Sequence, residues 1–130
     1  MATDDCAADA MIGEIRHGRL GENPFVPVIV TIWEPTQEVV RRVASSGADD
    51  IMVKPLSPAQ ILERIRVLVQ SRKPFVVTSD YIGPDRRKDE SRKSEIPQID
   101  VPNTLRSKIR GEKIDRTELN RAIVEAQSSI

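Results

Sequence analysis

Val43-Ala44-Ser45-Ser46-Gly47-Ala48-Asp49-Asp50-Ile51-Met52-Val53-Lys54-Pro55 is the stretch whose reading decides the fold. Its first residues finish an amphipathic pattern that starts near Pro35-Thr36 and sets Val39, Val40, Val43 and Ala44 on one helical face. Gly47 suits the left-handed residue that follows a helix. Asp50 to Val53 then reads as a short strand, ended by Lys54-Pro55. Upstream, Phe25-Val26-Pro27-Val28-Ile29-Val30 is rich in β-branched residues and has the length of a buried parallel strand. Pro27 has no amide to donate, which places it near the strand's start, and Thr31 closes the run. Strand, helix and strand in this order bring a hydroxyl and an ammonium to the ends of two buried strands. That looks like half of a phosphoryl-recognition site, because phosphoryl oxygens need donors and one compact cation around them.

The flanking segments read as follows. Ala7 to Arg16 carries Met11, Ile12 and Ile15 at helical spacing, and His17-Gly18 ends the pattern. Ser57-Pro58-Ala59-Gln60 supplies an N-cap serine, proline at the first helical position and a glutamine able to close a capping box. The helix that follows is expected to bury Ile61, Leu62, Ile65, Leu68 and Val69. After Gln70 sustained periodicity fades. Phe75 to Thr78 is expected to be extended, Gly83-Pro84-Asp85 to be a turn, and Leu105 to Arg110 to make one or two helical turns before Gly111. Asp115-Arg116-Thr117-Glu118 is a further capping-box pattern. Beyond it Leu119, Ala122, Ile123 and Ala126 line one face, which fits a dimerisation seam as well as docking back onto the domain.

The stretch Asn23 to Val69 resembles the receiver domain of bacterial response regulators. The residues that carry the resemblance are Val26-Pro27-Val28-Ile29-Val30-Thr31, then Ala44-Ser45-Ser46-Gly47-Ala48-Asp49-Asp50, the apolar triplet Ile51-Met52-Val53, and Lys54-Pro55. It implies an α/β, flavodoxin-like sheet of parallel strands and a place in two-component phosphorelay signalling. In that family Thr31 would hydrogen-bond one phosphoryl oxygen on an aspartate and Lys54 would pair with another. The Lys54-Pro55 peptide would be cis, and Ile51 stands where many receivers carry a switch tyrosine or phenylalanine. A sensor histidine kinase or phosphotransfer protein is the implied partner, and Mg²⁺ the implied cofactor. The match is confined to the C-terminal half of a receiver. Counting back from Ile15-Arg16, which resembles the end of the third helix, the acceptor aspartate falls around or just before Met1. Asp4 and Asp5 are the nearest carboxylates, and as plain surface acids they also suit a helix start. The paired acids that hold Mg²⁺ have no counterpart, so no cofactor and no enzymatic activity are expected of the sequence as it stands. A second resemblance covers Lys73-Pro74-Phe75-Val76-Val77-Thr78-Ser79-Asp80-Tyr81-Ile82-Gly83-Pro84-Asp85-Arg86-Arg87. It is similar to a segment trailing receivers in some proteobacterial response regulators, and Val101 to Arg106 resembles the same tail.

Composition narrows the remaining classes. The 130 residues suffice for one small domain and a tail. Twenty basic and twenty acidic residues cancel, so no bulk field draws the chain to nucleic acid or to an anionic membrane. Arg86-Arg87-Lys88 and Arg92-Lys93 are interleaved with Asp85, Asp89 and Glu90, the pattern of a solvated loop rather than a phosphate grip. The single cysteine, Cys6, excludes an internal disulfide and fits a reducing, cytoplasmic location. No apolar run approaches the roughly 20 residues of a membrane span. His17 reads as a surface residue at a helix end. Trp33, Phe75 and Tyr81 are candidates for partner contact, aromatic side chains being over-represented at interface hot spots.

The expected architecture is therefore an incomplete receiver over 1–71, an extended, partly disordered tail over 72–113, and a C-terminal helix over 114–130. Its expected output is protein–protein contact, through the helices, the tail or self-association along a bare sheet edge. A phosphorylation-independent adaptor using the same helices is the alternative.

Overall fold

The structure, a computed structural model, describes residues 5–78, 80–86, 98–113 and 116–128, with side chains described from residue 8 onward. Among these residues it is a mixed α/β arrangement with two small sheets and five helices. Helix α1 (Asp5–Arg16) is followed by β1 (Ile29–Ile32), α2 (Gln37–Ser46), β2 (Asp50–Val53) and α3 (Pro58–Gln70). The chain continues through β3 (Phe75–Val77), β4 (Ile82–Pro84), α4 (Thr104–Ile109) and α5 (Arg116–Ser128). No helix among the described residues is long and apolar enough to cross a membrane.

The decisive stretch forms a parallel pair. β1 and β2 align Ile29 with Asp50, Thr31 with Met52 and Ile32 with Val53. The first strand begins later than its β-branched run suggests. Phe25 to Val28 is an entry segment, tied to the sheet through Val28, whose carbonyl accepts from the Asp49 amide at 2.8 Å. Prolines at 24 and 27 leave that segment short of ladder donors. Thr31 consequently lies inside β1, one residue before its end. Helix α2 starts where Thr36 caps it, the hydroxyl accepting from Val39 N at 3.2 Å, and stops at Gly47 with φ +103°. Val43 of α2, Ile12 of α1, Val30, Ile32 and Ala48 form one core cluster.

Helix α3 carries the full capping box: Ser57 Oγ accepts from Gln60 N at 3.2 Å, and Ser57 N donates to Gln60 Oε1 at 2.9 Å. Its apolar stripe, however, is mostly uncovered. Leu68 is buried, Ile65 and Val69 are half-buried, whereas Ile61 is 39% and Leu62 66% exposed. A two-stranded sheet is too narrow to floor a helix of 13 residues, and α3 packs chiefly through its last turns on α4.

The segment 72–113, expected as an extended tail, holds the larger core. β3 and β4 pair antiparallel, Phe75 opposite Pro84 and Val77 opposite Ile82, so Gly83-Pro84 belongs to a strand rather than a turn. The reversal lies before β4, where Thr78 Oγ1 accepts from the amides of Asp80 and Tyr81 at 3.2 and 3.0 Å. Ile99 adds a further bridge, exchanging both backbone hydrogen bonds with Phe75. Phe75, Val77, Ile82 and Ile99 pack with Phe25 and with Ala122 and Ala126 of α5. Phe25 and Phe75 meet edge to face at 5.4 Å. Leu119, Ala122, Ile123 and Ala126 pack onto their own chain, as the docking reading of that stripe expects. The capping pattern at Asp115 lies outside the described residues.

Candidate functional site

The register puts the two strand-end residues at the same end of neighbouring strands. Thr31 sits opposite Met52, and the Lys54 amide extends the ladder by donating to Ile32 O at 2.8 Å. Alternation along a strand then sets Thr31, Met52 and Lys54 on one side of the pair. Val30 and Ile32 go to the other side, into the α1–α2 core. Both side chains stand at the carboxyl end of parallel strands, the end of an open α/β sheet at which ligands are generally held. Lys54-Pro55 is cis.

Trp33 supplies the third part of this end of the sheet. The Lys54 ammonium lies 5.1 Å from the centre of the indole ring, a cation–π contact, while the ring itself is 64% exposed. A hydroxyl, an ammonium and an aromatic lid suit a phosphoryl or carboxylate oxygen. They do not suit Mg²⁺, which needs several oxygen ligands in octahedral array and is repelled by an ammonium. Among the described residues no group of three His, Cys, Asp or Glu side chains converges.

The acceptor candidates are placed less fully. Asp4 lies outside the described residues, as do Arg87, Lys88, Arg92 and Lys93, and Asp5 enters as the first residue of α1 with its side chain undescribed. His17 is exposed, its Nδ1 within 2.8 Å of Gly13 O at the end of α1. Phe75, expected as a contact residue, is wholly buried and serves the core instead. Tyr81 is half-buried, and its hydroxyl donates to Pro84 O at 2.7 Å.

The most highly organised polar cluster was not legible as a site. The side chains of Arg16, Asp49 and Arg72 are 1%, 3% and 3% exposed. Asp49 Oδ2 accepts from Arg16 Nη2 at 2.9 Å and from Val28 N at 2.8 Å, and Oδ1 accepts from Arg72 Nε at 3.3 Å. Arg16 also donates to the carbonyls of Gly47, Pro24 and Val26. Both guanidiniums lie about 5 Å from the centre of the Phe75 ring, at 4.9 and 5.0 Å. Burial pulls the Arg16 guanidinium down to about 10, with the Asp49 charge opposing the shift, and Arg72 is lowered for the same reason. Arg16 therefore stays charged at neutral pH. Arg86 reaches the same corner, donating to Ala48 O. The cluster joins α1, the start of β2 and the β3–β4 hairpin, and its chemistry is structural: it makes the tail part of the α/β unit. In the sequence Asp49 stood inside the decisive stretch, but its partners are 33 and 23 positions away and carried no periodic signal.

No family model matches the chain, and no curated protein or solved structure is significantly similar to it.

Proposed function

We propose that the chain acts in two-component phosphorelay signalling as the C-terminal half of a flavodoxin-like receiver, with Thr31 and Lys54 as its phosphoryl contacts and no catalysis of its own. The observation that carries this reading is the parallel register, which delivers a hydroxyl and an ammonium to the same end of neighbouring strands. Asp4 and Asp5 are the acceptor candidates that the sequence offers. The output is protein contact, and the Lys54–Trp33 stack gives the site a means of signalling. An ammonium drawn to a phosphoryl oxygen leaves the indole face, and the exposed ring is then free to meet a partner.

Trp33 is the sole tryptophan, so its fluorescence reports the site directly. The protein purified from its own cells is treated with acetyl phosphate and Mg²⁺ and followed by intact mass and by Trp33 emission. An acyl phosphate together with an emission change that is lost in Thr31→Ala and Lys54→Ala supports the reading. Phosphorylation with the same emission in all three proteins overturns the assigned roles. A protein that takes up no phosphoryl group, from acetyl phosphate or from a histidine kinase, leaves the adaptor reading. That second reading is favoured by one observation of its own, the uncovered apolar positions Ile61, Leu62 and Val67 on α3.

A further inference from the structure

Trp33 and Lys54 are the first residues beyond β1 and β2. The register that sets Ile32 beside Val53 continues by one step and brings these two next to each other. The backbone that carries the indole is anchored on both sides. Ile32 ends the ladder before it, and after it Thr36 caps α2 and donates its amide to Glu34 O at 2.9 Å. The residue is nevertheless 64% exposed and belongs to neither core cluster.

Lys54 has no carboxylate to hold it. Among the described residues its ammonium makes no ion pair and no hydrogen bond, and it rests on the indole, 5.1 Å from the ring centre. The face of an aromatic ring is the negative end of its quadrupole, which holds a cation and repels an anion. An anion that takes this ammonium must therefore draw it off the ring.

We infer that Trp33 is a brake on the strand-end site: its ring competes with the incoming anion for Lys54 and makes no contact of its own with the ligand. The brake rests on the reading of Lys54 as an anion contact. Lifting the ammonium from the ring costs the same whichever anion follows. The apparent affinity for every anion is then lowered by one common factor, and the preference among anions is unchanged. For an exposed stack that factor is about two to five.

The test is a titration of the full chain with inorganic phosphate and, separately, with acetate, at constant ionic strength, followed by NMR of the Thr31 amide and the Lys54 side chain. Trp33→Leu removes the ring and, since no core cluster includes it, keeps the fold. It should tighten both anions about two- to fivefold and by the same factor. Trp33→Phe, whose face holds a cation less well, should fall between the two. With Lys54→Ala already in place, Trp33→Leu should leave the remaining affinity unchanged. Equal or weaker binding in Trp33→Leu, or a changed ratio of phosphate to acetate affinity, would overturn the brake while leaving Lys54 as an anion contact. Binding that is absent in every variant, or indifferent to Lys54→Ala, would overturn the strand-end reading and the brake with it.

Discussion

The Asp49 carboxylate accepts from Val28 N and from two guanidiniums, and it lies among groups that water does not reach. Breaking a buried pair is costly because the partner charge stays behind unpaired. Asp49→Asn leaves two buried arginines without their carboxylate and should lower stability by roughly 3–5 kcal/mol, measured by urea unfolding. The exposed Arg19–Glu14 pair is the contrast. Arg19→Ala should leave the urea midpoint where it is, because solvent screens that pair. A comparable loss in the two variants would remove the special status of Asp49. Tyr81 offers a second measurable property as the chain's sole tyrosine. Burial raises its phenol above 10.0, with the Arg86 charge and hydrogen bond opposing the shift. The folded state therefore keeps the proton where the unfolded state has released it. The stability this contributes is complete below pH 10 and is lost as pH rises through the folded value. Ultraviolet titration should show tyrosinate forming above the ordinary phenol range in the native protein and within it in denaturant. Coincident curves would contradict the burial.

Between elements, two glycines allow a close approach. Gly47 ends α2 at φ +103°, and a Cβ there would strike the Ile82 carbonyl oxygen of β4. A Cβ on Gly83 would fall 2.6 Å from Gly47 Cα and 2.7 Å from the Tyr81 hydroxyl. The hairpin can lie against the C-terminal end of α2 only while both positions lack side chains. Gly47→Ala incurs about 1–2 kcal/mol for the left-handed backbone and the clash in addition. Gly18→Ala, at φ +75° with open space around it, incurs the backbone cost alone. Denaturant unfolding should rank Gly47→Ala well below Gly18→Ala, and equal losses would show that the hairpin yields. This is also where legibility ended. Caps, β2 and the α3 start were readable because each is fixed by neighbours within four residues, as at Ser57-Pro58-Ala59-Gln60. Gly47 was readable as a helix stop. Its contact with Gly83 was not, since local pattern contains no record of which distant backbone approaches. The burial of α3 was misjudged for a related reason. Periodicity shows which face is apolar, and the amount of sheet available decides whether that face is covered.

Across the entire chain, the placing of Thr31 and Lys54 at the same end of neighbouring strands followed from motif and strand order, but the unity of the fold did not. The composition change after Gln70 suggests a tail, and the packing contradicts its independence. Phe25 from the α/β half occupies the same cluster as Phe75, Ile99 and Ala122, and Arg16 crosses over to stack on Phe75. A core shared in this way predicts one cooperative transition rather than two. The chain carries its own pair of reporters, Trp33 beside the parallel strands and Tyr81 in the hairpin. Thermal unfolding followed by Trp33 fluorescence and by Tyr81 absorbance should give superimposable curves. Phe75→Ala empties the centre of the shared cluster and should lower stability by roughly 3–5 kcal/mol. It should also shift both curves together, although Trp33 lies outside that cluster. A variant in which the Tyr81 signal melts early while Trp33 stays native would mean that residues 72–128 fold onto a unit already stable without them. The Arg16–Asp49–Arg72 cluster would then be a clasp between two separable parts rather than the centre of one.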